Sequence, residues 1–208
     1  MLRKPVTIVA TGFAILLTAG AAQAAMITYQ FGGVFGAEFP PAVLGITPGD
    51  TFSGTFRIDS DAVDQYPLDP TWGFYQSPTA RMTLSFGSWQ LEANGLLCRA
   101  DMHNDTPDGD YAGIAAGPFS NGGLVNTWIG VGWSAGPSSS AWPDDRLQNP
   151  PADIRGLLAT LNLSGTRPGY GDFLVNGTLT YLIPEPAYGS AVALLSVLLV
   201  HLRKARKG

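Results

Sequence analysis

Between residues 25 and 182 the chain has no lysine, one cysteine, one histidine and no stretch of convincing helical periodicity. Each scarcity excludes something. Cys98, being alone, cannot close an intramolecular disulfide, so stability must come from a buried core. Within Leu96-Leu97-Cys98 it reads as a buried strand position where a thiol packs as a small hydrophobe, with a reactive or intermolecular thiol as the alternative. Any Ser-His-Asp or Cys-His site would have to use His103, and no Gly-x-Ser-x-Gly elbow presents a serine. A surface turn histidine is the simpler account. Six arginines stand against fifteen acids in this region, a formal charge of 6 − 15 = −9. That field repels phosphate backbones and anionic lipid, which argues against nucleic acid as a partner and leaves neutral glycans, cations and basic surfaces. Solubility outside a cell explains the same charge without any partner.

What the region does contain is short β-rich runs punctuated by Gly, Pro, Asp and Asn. Ile27 to Phe35 places Ile27, Tyr29 and Phe31 on one face and Thr28 and Gln30 on the other, the period-two pattern of a half-buried strand. Thr51 to Ile58 repeats it after the turn residues Pro48-Gly49-Asp50. Asp59 to Gln76 reads as a long acidic connection, followed by strands at Arg81–Phe86 and Trp89–Ala93 joined by the hairpin pair Gly87-Ser88. Further strands are expected at 96–101, 111–116, 126–134, 158–164 and 173–182, and the Gly, Ser and Pro of 132–151 as a packed surface loop. About nine short strands with turn-rich spacing predict an all-β fold, a two-sheet antiparallel sandwich of jelly-roll type.

The two ends are different in kind. Met1-Leu2-Arg3-Lys4, the apolar run Val6 to Gly20 and Ala22-Gln23-Ala24 have the order of a secretory signal peptide, residues 1–24, cleaved before a β domain at 25–182. At 183–208, Ile183-Pro184-Glu185-Pro186 is followed by an uncharged run from Ala187 to Leu202 and by Arg203, Lys204, Arg206 and Lys207. The run predicts one C-terminal hydrophobic helix of roughly 24 Å at ~1.5 Å per residue, short against a hydrocarbon core of about 30 Å. The basic flank extends its reach by snorkelling and marks the cytoplasmic side, which places the β domain outside.

Pro-Glu-Pro, a short apolar helix and a basic end, in that order, resemble the PEP-CTERM sorting signal of bacterial surface proteins. The resemblance implies recognition by an exosortase, an integral-membrane protease, at Pro184, Glu185 and Pro186. It also implies a protein held first by its C-terminal helix and then delivered to the cell surface or the extracellular polysaccharide matrix. Ile183 and Ala187 stand where many members have Val and Ser, and lysines interrupt the usual arginine run. An ordinary C-terminal anchor is the alternative. The resemblance reaches weakly into the domain at 49–56, 59–64 and 73–75, where it implies a shared β-rich domain type and no chemistry.

Three constellations could carry chemistry. Asp59, Asp61 and Asp64, and Asp101, Asp108 and Asp110, lie in carboxylate-dense loops whose hard oxygens suit a structural Ca²⁺, though neither completes an EF-hand register. Asp and Asn also cap turns through their own backbone, which accounts for the same residues without metal. Trp72 and Trp142, flanked by Pro and Asp, are candidate exposed rings for stacking on sugars, whereas Trp89, Trp128 and Trp133 read as core. Glu38, Glu92 and many Asp could supply a glycosidase pair, but spacing along the chain does not reveal their separation. The reading that follows is an exported, non-enzymatic structural or adhesive protein of the surface or matrix. A calcium-dependent carbohydrate-binding module and a secreted glycan hydrolase are the alternatives.

Overall fold

The computed structural model describes residues 26–39, 42–104, 110–135, 147 and 157–184. Its strands are β1 (Met26–Phe39), β2 (Thr51–Asp59), β3 (Trp72–Gln76), β4 (Arg81–Phe86), β5 (Trp89–Asn94), β6 (Cys98–His103), β7 (Tyr111–Asn121), β8 (Leu124–Ser134), β9 (Leu158–Arg167) and β10 (Gly171–Pro184). The described residues contain no α-helix, only a 3₁₀ turn at Gly95–Leu97. None of them forms a helix long and apolar enough to cross a membrane, and the apolar runs 6–20 and 187–202 lie outside the described residues.

Alternation makes these strands. In β2, Phe52, Phe56 and Ile58 are buried while Thr51, Ser53 and Arg57 are exposed. In β4, Met82, Leu84 and Phe86 point inward. Turns form where glycine tolerates positive φ: Gly87 (φ 49°) closes β4 onto β5, and Gly122 (φ 63°) with Gly123 (φ 84°) closes β7 onto β8 in the I′-like geometry that suits strand twist.

The expected fold class holds at the level of all-β and antiparallel. In place of two sheets, however, the ten strands join one ladder in the order β3-β6-β7-β8-β9-β10-β1-β2-β4-β5. The sheet curls into a half-barrel. Tyr29 of β1 and Trp133 of β8 show the curl directly. Three ladder steps of about 4.8 Å would separate their strands by roughly 14 Å in a flat sheet, yet their ring centroids are 6.0 Å apart across the interior. The sheet ends also approach one another, with Asn121 Nδ2 donating to the Glu92 carbonyl at 3.3 Å and Cys98 Sγ to the Ala93 carbonyl at 3.2 Å. The concave face holds the core, which includes Phe31, Phe56, Met82, Leu91, Ile114 and Leu161.

The expected connection from Asp59 to Gln76 ends early, because its last five residues form the edge strand β3. Hydrophobicity does not alternate along Trp72-Gly73-Phe74-Tyr75-Gln76, although burial does, and β3 is held by pairing with β6 on one side and by the preceding loop on the other. Leu96 and Leu97, expected in a buried strand, sit exposed in the 3₁₀ turn. Cys98 beside them is fully buried, as expected.

Candidate functional site

The convex face of the sheet differs between its halves. Over β2, β4 and β5 it carries Thr55, Thr83, Arg57, Arg81, Gln90 and Glu92, the ordinary polar covering of a solvated face. Over β3, β6, β7 and β8 it carries rings. Tyr66 stacks on Trp72 (4.3 Å, 17°), Trp72 on His103 (5.6 Å, 18°), and His103 meets Tyr111 edge-on (5.7 Å, 61°). The order follows from register: Trp72 pairs with His103 and His103 with Tyr111, while Tyr66 comes from the loop beyond the β3 edge. Arg99 places its guanidinium 5.9 Å from the centroid of Phe74 and 5.7 Å from that of Trp128, and donates through Nε to Asp101 at 3.3 Å. Burial pushes the Asp101 carboxyl above the usual range, partly offset by Arg99 and His103. Burial likewise raises the Tyr111 phenol, with the Asp101 charge adding to it.

The candidate calcium residues have other duties where they are described. Asp59 accepts hydrogen bonds from the hydroxyls of Ser77 and Thr79, which hold its carboxyl below the usual range. Asp64 Oδ1 accepts from the backbone N–H groups of Tyr66 and Phe74, both at 2.9 Å, and so ties the loop to the β3 edge. Asp61 is exposed. Asp101 faces outward on β6 beside Arg99, and Asp110 is buried ahead of β7, where its carbonyl accepts from Ala135 N at 3.1 Å. Asp108 lies outside the described residues. Among the described residues no three His, Cys, Asp or Glu side chains converge as a metal group.

Of the acids that could supply a glycosidase pair, the two glutamates are also occupied. Glu38 is buried, and its carboxylate accepts from Leu44 N and, at 3.2 Å, from Ile46 N. Glu92 is bound by Arg81 and Asn94.

Of the candidate rings, Trp72 lies between Tyr66 and His103, so its faces are already covered. Trp142 lies outside the described residues. Trp133 is fully buried and Trp89 is partly buried against the core, as expected. Trp128 is the correction. The sequence places it with the core, but it is 38% exposed on the convex face, because Ile129, Val131 and Trp133 point inward and Trp128 is one position out of phase with them. Strict alternation applied to β8 alone would have found it. Of the sorting residues, Pro184 ends β10 opposite Tyr29, while Glu185, Pro186, Arg203, Lys204, Arg206 and Lys207 lie outside the described residues.

No family model, no curated protein and no solved structure matches this chain.

Proposed function

We infer that this chain is an exported structural or adhesive component of the cell surface or polysaccharide matrix, delivered by an exosortase, whose β domain binds rather than catalyses. Residues 1–24 act as the cleaved signal peptide in this reading. Residues 183–208 act as the sorting segment, with one hydrophobic helix that anchors the chain until processing. The observation that supports the binding half is the convex face, where rings gather over β3, β6, β7 and β8 around the Arg99–Asp101 pair, while the opposite half carries only polar and charged side chains. Both candidate glutamates are engaged, Glu38 in holding backbone and Glu92 in holding neighbouring side chains, which gives the hydrolase alternative no support from them. The same engagement of Asp59 and Asp64 favours binding without calcium at that loop.

The test uses the full chain in a host that has an exosortase. Wild type should lose its tail and appear in the matrix fraction. Glu185→Gln, which keeps apolar length and basic flank, should insert normally and accumulate in the membrane at full length. Equal processing of the two, or processing of neither, would reduce the chain to an ordinary anchored surface protein.

A further inference from the structure

Strand β8 contains a glycine with no conformational duty. Gly130 is outside the positive-φ set, and a Cβ built on it would meet no atom within 4 Å. A strand gains from a side chain at such a position, so its absence keeps space open. The neighbouring glycines do have duties. A Cβ on Gly113 or Gly132 would stand 2.6 or 2.8 Å from the Tyr111 hydroxyl, so these two let the Tyr111 ring lie down across the sheet. Gly117 does the same for Trp128, whose Cδ2 would be 2.8 Å from a Cβ there. Two recumbent rings, 42% and 38% exposed, therefore flank a cleared floor. Along β8 the two flanks, Tyr111 lying over Gly132 and Trp128 itself, are about 13 Å apart at ~3.3 Å per residue, with Gly130 open between them.

Register continues the floor across three strands. Gly130 pairs with Asn162, and Asn162 with Asn176, both exposed amides. One row over, Gly132 pairs with Thr160, and Thr160 with Thr178. The row of Trp128 continues through Ser164 to Leu174 and Phe39, the last 74% exposed. The result is a strip running across the strands, with uncharged amides and hydroxyls along its middle and Trp128, Leu174 and Phe39 along one side.

We propose that this open strip of the sheet face, with Gly130 and Asn162 as floor and Trp128 and Tyr111 as flanks, binds a neutral polysaccharide chain laid across the strands. The proposal rests on the matrix reading above and names its ligand class. Amides and hydroxyls both donate and accept, as sugar hydroxyls do, and ring faces match the apolar faces of pyranoses. An apolar protein segment would strand those floor groups without partners, at a desolvation cost. A polyanion would meet a domain of strongly negative charge whose nearby cation, Arg99, is already paired with Asp101.

The experiment takes the full-length chain, exported and purified in detergent, through affinity electrophoresis in gels cast with a β-1,4-glucan, a β-1,3-glucan, a galactomannan, an α-glucan or alginate. At least one neutral polymer should retard wild type while alginate does not. Gly130→Gln and Trp128→Ala should each weaken that retardation tenfold or more, and Arg57→Gln on the opposite half should leave it unchanged. Because the side chain added by Gly130→Gln enters open space, the melting temperature of this variant should match wild type or exceed it. Indifference of every neutral gel, or wild-type retardation of Gly130→Gln, would overturn the site. So would a dimer in sedimentation that Gly130→Gln splits, since the face would then be a self-interface. Matrix delivery with glycan binding insensitive to Gly130→Gln would sink this site alone. Intact, Gly130-dependent binding by a chain that is never processed would sink the sorting reading alone.

Discussion

Two alanine substitutions should move stability in opposite directions, and the contrast separates a glycine the core needs from one it does not. Gly54 lies on the concave face of β2, where a Cβ would stand 2.6 Å from Cε2 of Phe31 and closer still to the Thr83 carbonyl oxygen. Phe31 is fully buried and stays in its rotamer, and the oxygen belongs to the ladder between β2 and β4, so neither gives way cheaply. Overpacking of this kind costs about 1–3 kcal/mol, and involvement of backbone places Gly54→Ala near the upper end. The entropy recovered by restricting the unfolded chain, about 0.4–1 kcal/mol, does not offset it. At Gly130 only the entropic gain operates. With roughly 2–4 °C per kcal/mol for a domain of this size, Gly54→Ala should lower the melting temperature by about 4–10 °C and Gly130→Ala should raise it by about 1–4 °C. Far-UV circular dichroism melts, with urea titrations to confirm an unchanged m-value, measure both. If Gly130→Ala destabilises as much as Gly54→Ala, Gly130 has a structural duty and the cleared-floor argument loses its basis.

Further outcomes follow from the same geometry. Hydrogen bonds from Ser77 and Thr79 depress the folded-state pKa of Asp59, so its contribution is complete above the unfolded value of about 4 and is lost as pH falls through the folded one. Ser77→Ala should therefore lower stability at neutral pH and flatten the acid limb of the melting profile; an unchanged limb would refute the assignment. Asp101 has the opposite sign, since burial raises its pKa and stability is gained as pH falls through that raised value, a gain that Asp101→Asn should abolish. Asp64→Ala should cost roughly 1–2 kcal/mol by stranding the Tyr66 and Phe74 N–H groups, equally with and without millimolar Ca²⁺. A calcium-dependent loss in thermal melts would instead assign the loop to metal. The Cys98 thiol, buried and pushed up to about 11, should resist alkylation at pH 8 until the protein is denatured. Stoichiometric labelling of the native chain would mean that β6 opens readily.

What the sequence determined by itself was everything carried by local alternation. Tyr29 and Phe31, and Phe52, Phe56 and Ile58, face the core where period two puts them, and Gly87-Ser88 closes the hairpin it predicts. Such features depend on side chains two residues apart and on φ at a single turn, both readable from a short window. Tertiary structure alone decided how those strands joined. Pairing of β10 with both β9 and β1 makes one curled sheet where spacing predicted two, because ladder partners far apart in sequence leave no local trace. It also turned the last residues of an acidic connection into edge strand β3, with Asp64 serving as a backbone acceptor for Phe74. The ring row Tyr66–Trp72–His103–Tyr111 and the open floor at Gly130 arise only across strands, where register sets which side chains become neighbours.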